Sequence, residues 1–327
     1  MGMKKRKLDH LEIALKKDVS FKHKTTGLEK VDLNYACLPE INRDEVSTET
    51  VFLGKKLRAP LLVSAITGGT IKAEKINHDL ASACEAAGVA FGLGSQRAML
   101  EKPGLTRTYQ VRQVAPTTLI FGNIGAVQLK DYSVQELDSM LNAVGADALA
   151  VHCNAAQEAI QPEGTTDFTG CLDFIDKVSR HLPKPVIIKE VGAGISKEVA
   201  EKISRTNVAA IDVAGAGGTS WTAIEYLRHK QKDGPFWDFG IPTAESIQEV
   251  RQVFSGPVIA SGGLRNGLDC VKALSLGASL CGMAFPILKA QAKGGSLGVK
   301  KLLDQIIEEI RTAMFLIGVK SVDQIKA

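Results

Sequence analysis

From residue 59 onward, eight short apolar runs recur at intervals of roughly 30 residues, the length of one strand-plus-helix unit. They are "APLLVSA" (59–65), "VAFGLGS" (89–95), "TLIFGN" (118–123), "ALAVHCN" (148–154), "PVIIKE" (185–190), "AAIDVAG" (209–215), "PVIASGG" (257–263) and "SLCGMAF" (279–285). Each is rich in Val, Ile, Leu or Ala, and none alternates strictly between apolar and polar residues. A strand covered on one face alternates; a strand buried on both faces does not. The runs therefore predict parallel strands with helices packed on them.

The intervening segments supply those helices. Ile76, Leu80, Cys84 and Ala87 share one helical face, which Gly88 ends. Ser133 and Glu136 have the spacing of a capping box ahead of Leu137, Leu141 and Val144, with Gly145 after them. Ser196 caps a helix carrying Val199, Ala200 and Ile203. Leu268, Val271 and Leu274 repeat the pattern before Gly277, and a long last helix carries Leu302 to Met314. Strand and helix alternating eight times predict an α/β chain: a (β/α)8 TIM barrel with an N-terminal extension. The runner-up, a doubly wound open sheet, usually has fewer strands and one Gly-rich switch point. Residues 1–58 read as the extension, with a basic helix in "KKRKLDHLEIALKK" and a hairpin in "TETVFLGKKLRAP"; residues 59–327 read as the barrel. Interruptions at about 158–169 and about 228–242 have the length of loops that cover a site.

Composition excludes several classes. A net charge of +4 with 5% aromatic residues is too mild a signature for nucleic-acid binding. The six cysteines, at 37, 84, 153, 171, 270 and 281, form no Cys-x-x-Cys pair, which points to reduced thiols. No apolar segment follows the basic start, and no run approaches the roughly 18 residues of a membrane span. A soluble, cytoplasmic protein is expected.

Each strand candidate ends in polar or glycine residues, and in a parallel barrel those ends share one face. Glycines at 217–218, 262–263 and 282 suggest a phosphate cradle, because glycine lets backbone N–H groups approach an anion closely. Lys189 sits one residue past "VII", where it can serve in a salt bridge or face the edge of a flavin ring. His152, Asn154, Gln157 and Glu158 lie within seven positions. Their spacing does not fit zinc, and no Gly-x-Ser-x-Gly elbow supports a serine nucleophile. One carboxylate beside two amides suits a hard cation shared with phosphates.

These stretches together resemble the type 2, FMN-dependent isopentenyl-diphosphate isomerase family. The resemblance covers essentially the whole chain: "RKLDHL" (6–11), "TGG" (67–69), "GSQR" (94–97), "GNIGA" (122–126), "HCNAAQE" (152–158), "KEVGAGIS" (189–196), "GGTSW" (217–221), "FGIPT" (239–243) and "SGGLRNG" (261–267). The Arg-Lys-x-x-His start combined with His-x-Asn-x-x-Gln-Glu is specific; the glycine-rich turns alone fit many FMN barrels.

The resemblance implies an FMN-binding barrel and a set of roles. Ala65, Ile66 and Thr67 would lie along the flavin, Ser95 and Asn123 would bond its edge, and Lys189 would meet N1/O2. Thr219, Gly263, Arg265 and Ala284 would hold its phosphate. Arg6, Lys7, Ser95, Arg97, His152, Asn154 and Gln157 would hold substrate diphosphate and isoprene, and Glu158 would bind Mg2+. Gln157, His152 and Lys189 are the implied catalytic residues. The implied reaction interconverts isopentenyl and dimethylallyl diphosphate in isoprenoid biosynthesis, with reduced FMN as acid and base and NADPH as reductant. Relatives imply a homo-oligomer, tetramer or octamer. Two departures stand out: Cys153 where leucine is common, expected to point to the core, and Phe239 where tryptophan is common, expected to keep an aromatic lid. The rival readings are an FMN-dependent oxidoreductase of the hydroxy-acid oxidase or inosine-monophosphate dehydrogenase type, and a non-catalytic phosphate-binding barrel. Against the oxidoreductases, the turn after the seventh strand has Arg265 but no His, and residues 213–242 contain no Cys.

Overall fold

The strands fold as their two-faced apolarity requires. In the computed structural model, which describes residues 3–325, all eight runs become parallel strands: β3 Leu61–Val63, β4 Ala90–Gly92, β5 Ile120–Gly125, β6 Ala148–His152, β7 Val186–Lys189, β8 Ala210–Asp212, β9 Val258–Ser261 and β10 Leu280–Met283. A short antiparallel hairpin precedes them, β1 Thr50–Phe52 and β2 Lys55–Leu57. The barrel runs β3 to β10 in chain order and closes where β10 pairs with β3, Cys281 opposite Leu61. Alternate residues serve two cores. Leu62, Phe121, Ala150, Ile187 and Ile259 fill the barrel interior, while Val63, Ile120, Val151, Ile188 and Val258 pack outward against the helices.

Local chemistry sets the helix ends. The helix Ile71–Ala87 starts at Thr70, whose hydroxyl accepts from Ala73 N–H, and stops at left-handed Gly88. Ser133 and Glu136 form both bonds of their capping box. Two expected core positions are not covered: Val199 and Leu268 are half exposed, at 48% each. Both occupy the first turn of a short helix, where the apolar stripe has not yet rotated onto the barrel. The last helix, Phe285–Leu316, is interrupted at Gly295 (φ 57°, ψ −148°).

The extension is a strap from mouth to floor. The helix Met3–Lys16 lies at the mouth, against the helix Trp221–Arg228. Residues 19–26 then run past the loop after β8, with Ser220 N–H donating to the Val19 carbonyl. Further on, Ala36 N–H bonds the Leu316 carbonyl and Ser47 N–H the Lys320 carbonyl, each at 2.8 Å. The hairpin finally plugs the other end of the barrel. Its turn uses left-handed Leu53 and Gly54, and Phe52 and Leu57 complete the interior core, Phe52 packing 6.3 Å from the Phe121 ring. Replacing Phe52 by Ala removes this plug and should lower the unfolding free energy by about 3–5 kcal/mol, read from urea denaturation.

Candidate active site

Strand register brings ionisable groups side by side at the rim. Gly125 pairs with His152, His152 with Lys189 and Lys189 with Asp212, one row across four strands. Lys189 Nζ lies 3.9 Å from Asp212 Oδ2, and Ser261 Oγ donates to the other Asp212 oxygen at 2.6 Å. Burial pushes the Asp212 carboxyl above its ordinary range, against the pull of Lys189. His152 Nδ1 sits 2.7 Å from Asn123 Oδ1, so with that oxygen accepting, Nδ1 carries the proton. Burial, then the charges of Lys189 and Lys7, drive the imidazole from 6.5 down to about 3. It is neutral at ordinary pH. Unfolded His152 takes a proton that the folded form refuses, so its contribution to stability is lost as pH falls from 6.5 toward about 3.

Above this row the strand ends and the extension enclose a cavity of about 260 Å3. Every sequence-predicted site residue lines it: Ala65, Ile66 and Thr67 after β3; Ser95 and Arg97 after β4; Asn123 on β5; His152, Asn154, Gln157 and Glu158 at the end of β6; Lys189 on β7; Thr219 after β8; Gly263 and Arg265 after β9; Ala284 after β10; and Arg6 and Lys7 from the extension. Two ends of the cavity differ in chemistry. At one, loops after β8, β9 and β10 present glycine backbone. Gly263 holds φ +86°, and a Cβ there would come within 2.4 Å of Thr26 Cγ2. Among the described residues none accepts a hydrogen bond from the N–H of Gly263 or Ala284, and Ser64 Oγ is buried without a protein partner. Arg265 stands beside them, its guanidinium pushed down by burial. Open N–H donors, glycine backbone and one guanidinium fit the phosphate of a nucleotide cofactor.

The other end is cationic and comes largely from the extension. Lys7 Nζ donates to the Ser95 carbonyl at 3.0 Å and to Tyr109 Oη at 3.2 Å. Burial, and then Arg6, lower its pKa from 10.5 to about 8. Arg97 pairs with Glu101 at 2.6 Å. Asn154 Nδ2 donates to Gln157 Oε1 at 3.2 Å and to Glu158 Oε1 at 3.0 Å, while Glu158 Oε2 accepts from Thr165 N–H at 2.7 Å. Among the described residues no group of three or more His, Cys, Asp or Glu converges to hold a metal. A cation here would therefore take Glu158 and complete its oxygen shell from a bound anion.

Sequence reasoning missed the residue that ties this end together. Glu225, fully buried, meets His10 Nε2 at 2.8 Å and Arg228 Nε at 2.7 Å, and accepts from Gln157 Nε2 at 3.2 Å. With its amide turned so that nitrogen and oxygen exchange places, Gln161 donates to Glu225 at 3.2 Å and accepts from Arg6 at 2.9 Å. Burial raises the Glu225 carboxyl, but His10, Arg228 and Gln157 outweigh it and hold it below the ordinary range. The available signal was a carboxylate between Ile224 and Tyr226, three residues before Arg228 on the same helix. Phe239 does not act as the expected lid. It is 59% exposed and packs edge-on against Phe236, because Trp237 turns inward, stacks on Tyr226 and donates to the Ser20 carbonyl. Trp221 lines the cavity instead. Cys153 packs against the outer core, as expected.

Known proteins sort this geometry. Residues 2–103 and 129–327 match the model of the FMN-dependent dehydrogenase family. An isopentenyl-diphosphate delta-isomerase of Pyrococcus furiosus is 45% identical, the match covering 98% of this chain and 84% of that protein. The isomerase of the same name from Nostoc sp. is also 45% identical, over 98% and 93%. A mandelate oxidase structure superposes with a TM-score of 0.71 at 22% identity, covering 98% of this chain and 91% of that one, which is likeness of fold. Full-length identity at this level, on an FMN-type barrel, means that the chain belongs to the isopentenyl-diphosphate delta-isomerase family in its FMN-dependent form.

Proposed function

We propose that this chain interconverts isopentenyl and dimethylallyl diphosphate, in isoprenoid biosynthesis, within a cavity that also takes FMN and one Mg2+. The observation that carries the reading is that one cavity has two separately built anion ends, a glycine-backbone end and a cationic end, with Lys189 between them. A flavin phosphate and a substrate diphosphate need such a pair.

In this reading Thr219, Gly263, Arg265 and Ala284 would hold the FMN phosphate, Ala65, Ile66 and Thr67 would lie along the ring, Ser95 and Asn123 would bond its edge, and Lys189 would meet N1/O2. When bound and reduced, FMN supplies a ring nitrogen able to give and take a proton beside an unactivated alkene. The side chains do the rest. Arg6, Lys7 and Arg97 receive the diphosphate, and Lys7, lowered to about 8 by burial and Arg6, regains a favourable setting for its charge when the anion arrives. Neutral His152, its Nδ1–H held by Asn123, and Asn154 border the diphosphate without adding net charge, His152 offering Nε2 as an acceptor. Gln157 has both amide atoms engaged, by Asn154 and Glu225, so its face toward the isoprene carbons is fixed. Glu158 would hold Mg2+, which would offset charge on the diphosphate. Leu11, Ala14, Ile224 and Leu288 wall the cavity with apolar surface that keeps water from the reacting carbons. No described helix is long and apolar enough to cross a membrane. A cytoplasmic homo-oligomer, tetramer or octamer, activated by NADPH, accords with the reading.

Protein loaded with FMN, reduced by dithionite without oxygen and given Mg2+ and isopentenyl diphosphate should yield dimethylallyl diphosphate, with many turnovers per reducing equivalent. A strict equivalence of product to reductant, or no product with FMN bound, would defeat the reading in favour of an oxidoreductase or a binding barrel. Glu158→Gln should raise the Mg2+ concentration needed for half-maximal rate by about tenfold or more, with excess Mg2+ restoring part of the rate. Long-range 1H–15N correlation of the His152 ring should show the neutral form as pH falls from 6.5 toward about 3.

A further inference from the structure

The turn after β7 is organised around one buried carboxylate that none of the roles above uses. Glu190 Oε2 accepts hydrogen bonds from three successive backbone N–H groups, those of Val191, Gly192 and Ala193, at 2.5–2.6 Å. Gly192 takes φ +154°, and a Cβ there would lie 2.8 Å from the Thr219 carbonyl, so the turn is seated directly against the loop after β8. Its ends are gripped as well. The Glu190 carbonyl accepts from Lys189 Nζ, its N–H donates to the Asp212 carbonyl at 3.1 Å, and the Ala193 carbonyl accepts from Ile241 N–H at 2.8 Å. Val191 and Gly192 themselves wall the cavity.

We propose that Glu190 is a positioning residue for the cofactor end of the cavity: its ionised carboxylate fixes the Val191–Ala193 turn and, through it, the placement of the Lys189 ammonium and the Thr219 loop. The proposal rests on the flavin reading of that end. Three donors converging on one oxygen favour the charged form. Burial opposes them and carries the carboxyl from 4.5 up to about 7. The charged and titratable groups around it are Lys189 on its own strand, Asp212 beside Lys189 on β8, and Cys153 past β6, whose thiol burial drives up to about 12. As pH falls through about 7 the carboxyl takes a proton and its hold on the three N–H groups weakens.

The test is FMN binding to apoprotein, followed by quenching of flavin fluorescence and by the absorbance of the bound ring, at about pH 8 and about pH 6. It compares wild type, Glu190→Ala and Glu190→Gln. Glu190→Ala strands three buried donors and should weaken FMN binding about tenfold at the higher pH, with a shifted flavin band. Glu190→Gln keeps an oxygen acceptor and should recover most of that affinity, yet weaken less than wild type between the two pH values. The FMN phosphate titrates alike in all three proteins, so the difference in slope belongs to Glu190. Wild type that binds no FMN would overturn the flavin reading itself. Wild type that binds FMN, with both variants matching it within about twofold and in spectrum at both pH values, would overturn the proposal alone. If Glu190→Ala does not fold, the spectrum and pH slope of Glu190→Gln decide.

Discussion

A closed parallel ladder leaves the C-terminal ends of all its strands on one rim, and everything chemical in this molecule follows from that constraint. The apolar residues that close the barrel end at a single level. Directly above them, one step of register sets His152, Lys189 and Asp212 in neighbouring positions. No loop has to find this arrangement, because the hydrogen bonds that make the sheet already impose it. The loops are then free to specialise, with glycine backbone on one side and amides and cations on the other.

That specialisation crowds positive charge into a confined mouth. Lys7 registers the strain directly, since burial and Arg6 bring it down to about 8. Two carboxylates that do not line the cavity, Asp212 and Glu225, stand behind groups that do. Asp212 lies beneath Lys189, and Glu225 lies behind His10 and Arg228. Both carboxylates are buried, so removing Lys189 or Arg228 from beside its carboxylate leaves an uncompensated charge, at a cost of about 3–5 kcal/mol. Exposed pairs such as Lys16–Glu12 have no such leverage. Asp212 steadies Lys189 at the wall of the cavity.

Much of this was legible before any coordinates. Strands buried on both faces announce themselves as unbroken apolar runs, and Ser133 and Gly88 mark helix ends through bonds that depend on near neighbours alone. The predicted site residues at and after the strand ends reach one cavity because strand ends in a parallel barrel share a rim, and the extension brings Arg6 and Lys7 to them. What escaped was whatever depends on partners distant in the chain. Glu225 owes its meaning to His10 and Gln157, and nothing in its own neighbourhood says so. Phe239 was misjudged because the inward turn belongs to Trp237, which reaches back to Ser20. Val199 and Leu268 obey the helical period yet remain half exposed, since periodicity describes a face and not how far its covering extends.

The strap has a bearing on how such a protein comes into being. Residues 7 to 47 find their partners almost entirely in what the ribosome makes later: Ser95, Thr219, Glu225, Asp238, Leu316 and Lys320. This segment is made before the barrel and must therefore wait, undocked, while the barrel assembles, and long-range closure of this kind is slow. Lys7 and His10 travel on that segment. A nascent or partly folded chain can own a finished barrel and still lack half of its cationic end, so competence arrives as the last act of folding.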